Sequence, residues 1–301
     1  MLANFFSKSK PVNFIVLFLL FLSYYFVTLF SKNITLFSIG KELFLFIVLF
    51  SIYIFIITKN EVTYDNSYAF LFYTILIGFF IKNIAVGSVF YANLTILLFL
   101  RKVYSLQSSK NIFHKLFDGG LWLGISFIIE PFTIFFALLL YASTYLHQRF
   151  TYQTLLIPVL GFISPVILYF TYCFWYNALE NFFLLFSWKA PSDFSLYLEN
   201  DYLFPIVFIG FFTLFAILLK TPKALAILNR FRKNWILVLF HLIVSGAVFV
   251  LIPNKSGIEF LFLLFPTSVI LANGLEIFQK KWFADVFIIV FVIASITVFF
   301  L

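Results

Sequence analysis

From Val12 to Phe30 the chain carries nineteen residues without one charge. At about 1.5 Å per helical residue, that stretch covers the ~30 Å hydrocarbon core of a bilayer. Ten further apolar blocks follow, at Leu43–Ile57, Tyr68–Ile81, Ile84–Leu100, Ile112–Ile129, Phe132–Leu146, Thr154–Phe174, Tyr202–Leu219, Trp235–Ile252, Phe260–Leu275 and Phe283–Leu301. The blocks are continuous rather than alternating, which excludes a β-barrel and predicts helices. Hydrophobic residues make up 63% of the chain and charged residues 11%, against roughly 45–50% and 25% in soluble domains. No water-soluble fold of this length hides so much apolar surface. The expectation is an all-α, polytopic membrane protein of about eleven transmembrane segments, forming a single integral membrane domain over residues 1–301.

Phenylalanine is unusually frequent, at 49 residues, and reads as codon bias rather than as a functional device. The formal charge of +8 does not point to nucleic acid, because the basic residues sit in short loops between apolar blocks, where membrane topology puts them. Lys8 and Lys10 resemble the start of a signal peptide, but the apolar stretch behind them exceeds the roughly 7–15 residues of such peptides, so it is read as an uncleaved first span. Cys173 is the only cysteine, which excludes an intrachain disulfide and a Cys-based metal cluster.

The pair Glu130-Pro131 decides the threading. The block from Ile112 to Leu146 is either one long helix or two arms meeting at a turn. With two arms and a cytoplasmic N-terminus, fifteen of the twenty Lys and Arg fall inside and five outside; with one helix the split becomes nine and eleven. The positive-inside rule selects the hairpin, and a residue before proline resists continuing a helix. That places the N-terminus in the cytoplasm and the C-terminus in the periplasm of a bacterial inner membrane. The basic stretch Lys220–Asn234 is then a cytoplasmic loop that anchors topology and touches anionic headgroups. Outside, Trp175–Asp201 is the one long connection. Its first part, NALENFFLLFSW, is amphipathic enough to lie at the interface as a short helix; its second part is polar and acidic.

Ionisable residues near membrane depth carry the candidate chemistry. Glu42 follows the first outer loop, and Glu130 sits at the tip of the hairpin. Lys255 and Glu259 lie in PNKSGIEFLFLLFP, where Pro253, Asn254 and Gly257 predict a tight turn. Glu180, Asp193, Glu199 and Asp201 add acidic groups on the same side. Each also has a plain reading as a wetted loop ion. His114, His147 and His241 show no ligand spacing, and no phosphate loop, nucleophile elbow or zinc-protease motif is present. The cofactor is left open, with a divalent cation on the outer carboxylates as one option.

The segments FFSKSKPVNFIVL, NSYAFLF, ANLTILLFLRKVYSL, KNIFHKLFDGGLWLGI and PNKSGIEFLFLLFP together resemble an uncharacterised family of multi-pass inner-membrane proteins of Bacteroidota, over roughly Phe5 to Glu276. More distantly, ANLTILLFLRKVYSL, LGISFIIEPFTIFFALLLYA and PNKSGIEFLFLLFPTSVILA are similar in order and character to polytopic GT-C glycosyltransferases. That second resemblance implies a GT-C-like helical bundle, a polyprenyl-phosphate sugar donor and an acidic catalytic residue in the first outer loop. Only Glu42 is available there, without the usual Asp-Glu pairing, and no large soluble domain follows.

On these grounds the expected function is sugar transfer in envelope glycoconjugate metabolism. Glu42 would act as base, Glu130 and Asp201 would make polar or metal contacts, and Lys255 with Glu259 would bind the donor. Two alternatives stand beside it: a non-enzymatic subunit serving another envelope protein, and a transporter or lipid flippase. The partners expected are the bilayer, a polyprenyl-phosphate lipid or an envelope protein, and no nucleic acid.

Overall fold

The computed structural model describes the chain except for residues 1, 30–35, 83, 85, 189–192, 227–228, 254, 279 and 301, and gives backbone alone for 36–38 and 229–230. Lys32, Lys189, the Arg230 side chain and Asn254, used above for topology and the turn, lie outside the described residues. No strand occurs among the rest. The helices are α1 (Leu2–Phe6), α2 (Pro11–Leu29), α3 (Leu36–Asn60), α4 (Tyr68–Phe80), α5 (Ser88–Ser105), α6 (Ile112–Ile129), α7 (Ala137–Leu146), α8 (Tyr152–Trp175), α9 (Leu179–Leu184), α10 (Asn200–Ala226), α11 (Asn229–Leu251), α12 (Leu261–Leu275) and α13 (Lys281–Thr297).

Seven helices among the described residues are long and apolar enough to cross a membrane: α2, α3, α6, α8, α10, α11 and α12, the last counted with its lead-in turn. The other expected blocks fall on α4, α7 and α13, all shorter than eighteen residues, and on α5, which carries Arg101 and Lys102. Pro11 opens α2 at a position where a missing N–H costs nothing. The amphipathic stretch expected at the interface forms α9, with Trp175 and Trp188 exposed on either side of it. Lys220 departs from expectation, because α10 runs on to Ala226 and buries it rather than leaving it in a loop.

The chain divides into two compact units. Unit 1 comprises residues 1–84, 193–238 and 255–301. At its centre α4 is buried along its entire length and α12 at every residue but Leu263. Tyr53 of α3 ties them together: its ring stacks on Tyr73 with centroids 3.8 Å apart, and its hydroxyl meets Ser268 Oγ at 2.7 Å and donates to the Ala69 carbonyl at 3.1 Å. Gly78 lets α4 lie against the ring of Tyr24, whose hydroxyl pairs with Ser295 Oγ of α13 at 2.6 Å. Asn13 donates to the Phe5 and Lys8 carbonyls and to Ser67 Oγ, which holds the start of α2 beside the start of α4.

These contacts define two ends of unit 1. One end holds α1, the starts of α2 and α4, and Lys281, which donates to Asn4. The other holds the ends of α2, α4 and α13, where Lys82 donates to the Val298 carbonyl at 2.9 Å. Phe80, at the end of α4, stacks on Phe260 with centroids 4.0 Å apart, and Tyr197 packs on the same ring. The chain thus leaves unit 1 after Ile84 and returns at Asp193 at the same end.

Unit 2 comprises residues 85–192 and 239–254. Its helix α6 stops at Ile129, Glu130 is extended with φ −141°, and Pro131 opens a 3₁₀ turn to Phe136 that leads into α7. Leu140 of α7 packs against Gly119, and Ser143 donates to the Val103 carbonyl of α5, so α7 folds back antiparallel to α6. The helices α6 and α8 meet backbone to backbone. A Cβ on Gly124 would sit 2.5 Å from the Phe162 carbonyl oxygen, and those on Gly120 and Gly161 would sit nearer still to the carbonyls of Pro158 and Phe117. Gly120 and Gly124 form the small-xxx-small spacing that permits such an approach between apolar helices.

Candidate functional site

At the end of unit 1 where α4 and α13 finish, the loop before α12 is built from a strained position. Gly257 has φ +87°, a conformation that favours glycine, and any Cβ there would meet the Tyr202 ring at 2.6 Å. Tyr202, in the first turn of α10, donates its hydroxyl to the Ser256 carbonyl at 3.2 Å. A 3₁₀ turn over Ile258–Phe260 follows and carries Glu259 inward, where it is fully enclosed. Its carboxylate accepts the Tyr197 hydroxyl, and it accepts the Ser256 backbone N–H at 3.3 and 3.4 Å and the Ser256 hydroxyl at 3.4 Å. A buried carboxylate needs such donors to remain in place.

The connection into α10 closes over this loop. Lys255 places its ammonium 5.1 Å from the centroid of Phe194 and 5.9 Å from that of Tyr197, within the range at which a ring face attracts a cation. Asp193, fully exposed, accepts the Ser195 N–H at 2.8 Å, and the Ser195 backbone and hydroxyl donors hold its pKa below the ordinary carboxylate value. Asp201 stands half-exposed in the first turn of α10, where a negative charge complements the helix dipole.

Glu42 lies in the first third of α3 and accepts the Tyr25 hydroxyl at 2.9 Å. Tyr25 follows Tyr24, which packs on Gly78 near the end of α4, so Glu42 belongs to the same end of unit 1 as Lys255, Glu259 and Asp201. Glu130 belongs to unit 2, where its backbone carbonyl accepts the Thr133 N–H at 3.0 Å and the Thr133 hydroxyl at 2.8 Å. Among the described residues no three His, Cys, Asp or Glu side chains gather closely enough to hold a metal ion.

Phe194, Tyr197 and Tyr202 complete this end, and the sequence reading passed over them as part of a polar, acidic loop. Phe194 and Tyr197 stand three apart, the spacing that puts two rings on one face of a helical turn, which is the signal that marks them. Unit 2 contributes a separate apolar cavity of about 140 Å³ between α6, α7 and α8, lined by residues that include Leu123, Ile134, Leu140, Pro158 and Phe162.

The chain belongs to a family of unknown function, DUF6427, whose model matches residues 1–301. No curated protein and no solved structure matches it.

Proposed function

We propose that this protein works in the bacterial inner membrane as a GT-C-like transferase, moving a sugar from a polyprenyl-phosphate donor at the outer face. In this reading the end of unit 1 that carries α1 faces the cytoplasm, and the end that carries Lys255 faces outward. Glu42 takes the proton of an acceptor hydroxyl, the acceptor oxygen attacks the anomeric carbon, and the bond from that carbon to the phosphate oxygen breaks. The phosphate leaves with the electron pair beside Lys255, whose compact charge offsets the charge that develops there. Asp201 contacts the sugar. Glu259, being enclosed, acts by holding the Lys255 loop against Tyr197, and Glu130 keeps the role of a polar contact in unit 2.

The observation that supports this reading is that Glu42, Asp201, Lys255 and Glu259 occupy one end of unit 1, although they are distant in sequence. A second reading, a non-enzymatic subunit of an envelope complex, draws on a different observation: Glu42 and Glu259 both satisfy tyrosine hydroxyls within the fold, a use that needs no substrate. Purified full-length protein incubated with polyprenyl-phosphate hexoses and membrane lipid acceptors separates the two. Transfer that falls at least a hundredfold in Glu42→Gln, with the protein still folded, is the expected result. Absence of transfer by the wild type refutes the enzymatic reading, and transfer unchanged in Glu42→Gln refutes the role of Glu42 as its base.

A further inference from the structure

The opposite end of unit 1 holds a small cavity, about 20 Å³, whose lining includes Thr63, Tyr64, Lys220, Phe231, Trp235 and Asn273. That volume is close to one water-sized group. Lys220 is buried and gives one of its ammonium protons to Glu276 Oε2 at 3.1 Å; Glu276 Oε1 is taken by Asn66 Nδ2 at 2.6 Å. The Tyr64 ring flanks the ammonium at 5.3 Å and packs on Phe231, while Trp235 is fixed through its indole N–H to Thr221 Oγ1 at 3.3 Å. An ammonium has three donors, so the Glu276 bond leaves two for other acceptors. Thr63, 6% exposed, has a hydroxyl with no partner among the described residues. An enclosed hydroxyl left unpaired is costly, and such a group calls for a bound molecule.

Both donor groups line the same cavity, and what they ask for is an oxygen acceptor. Glu276 already pairs with Lys220, and Glu61 and Asp65 lie in the adjoining stretch of chain, but Lys220, Lys59, Lys223, Arg232 and Lys233 outnumber these three carboxylates, which favours an anion. We propose that this cavity is a phosphate-binding site: one phosphoryl oxygen enters to accept from Lys220 and Thr63, and the basic residues of the flanking chain segments favour the charge on the remaining oxygens. The phosphate belongs either to an anionic lipid headgroup or to a free phosphate. The site is independent of the transferase reading, since it lies at the other end of unit 1.

Thr63→Val tests it, because the substitution keeps the shape of the side chain and breaks no bond the protein makes to itself. The full-length protein in neutral detergent is titrated with phosphatidylglycerol or with inorganic phosphate, and bound species are counted by native mass spectrometry. Saturable one-to-one binding that weakens roughly tenfold or more in Thr63→Val is expected, the loss of one hydrogen bond to a charged group. Binding of phosphatidylglycerol alone assigns the site to lipid; displacement of that lipid by inorganic phosphate assigns it to the free ion. If neither probe binds the wild type, or if Thr63→Val binds the lipid with unchanged affinity, the proposal is wrong and water fills the cavity.

Discussion

Gly124→Ala tests whether α6 and α8 touch as described. The added methyl would lie 2.5 Å from the Phe162 carbonyl oxygen and 2.7 Å from Pro165 Cγ, where ordinary contact begins at 3.4 Å. Neither neighbour is the far end of a flexible chain, so the helices must separate by roughly 1 Å. The same seam holds Gly120 and Gly161 against opposing carbonyls, and it opens with them. Overpacking of this kind costs about 1–3 kcal/mol, and the seam also gives up close backbone contacts worth about 0.5–1 kcal/mol each. Alanine returns about 1 kcal/mol through its helix propensity. The net loss is about 2 kcal/mol, which at about 2–4 °C per kcal/mol lowers the melting temperature by roughly 4–8 °C. Gly210→Ala is the control: nothing lies within 4 Å of a Cβ there, so propensity alone acts and the variant melts no lower than wild type. Thermal unfolding of both proteins in the same detergent, followed by tryptophan fluorescence, reads the difference. Equal melting temperatures for Gly124→Ala and Gly210→Ala would show that the two helices do not meet at this seam.

Tyr197→Phe removes the hydroxyl donor from the enclosed Glu259, and an unmatched buried acceptor costs about 1–3 kcal/mol; the loop should become more open to protease cleavage between Lys255 and Gly257, and unchanged cleavage would contradict the burial. Gly257→Ala forces a side chain into the φ +87° conformation and against Tyr202, so it should destabilise unit 1 more than Ser256→Ala does, as measured by the same melting assay. Asp193, held low by the Ser195 donors, keeps its turn contact at neutral pH, and the contact is lost as pH falls through the depressed pKa. Raising the pH from 5 to 8 should therefore leave hydrogen exchange at Ser195 without any change attributable to that carboxyl.

The break at Glu130-Pro131 was legible because proline acts locally and because charge asymmetry counts crossings. Burial was not. The enclosed α4 and the almost wholly enclosed α12 are as apolar as α2 or α8, whose outer residues are exposed, and in a bilayer both surroundings accept the same side chains. Lys220 was misplaced for a related reason. Local composition put it in a basic loop, but Glu276 pairs with it from 56 positions away, and no local pattern announces such a partner. At the candidate site the ionisable residues could be picked out one by one, whereas the rings of Phe194, Tyr197 and Tyr202 that frame them were masked by polar neighbours. The contact of α6 with α8 was written in the spacing of Gly120 and Gly124, and the sequence reading did not take it up.

The enclosure of α4 has a consequence for biogenesis. This helix is synthesised before three of the helices that cover it, α10, α12 and α13. Thirteen residues reach about 20 Å, too little to stand alone across the bilayer, so the nascent chain must shelter α4 in the insertion machinery or against α2 and α3 until those later helices have emerged. Unit 1 can close only once α12 and α13 are present, and truncations that end before Leu261 should deliver a half-assembled product to the quality-control proteases of the membrane.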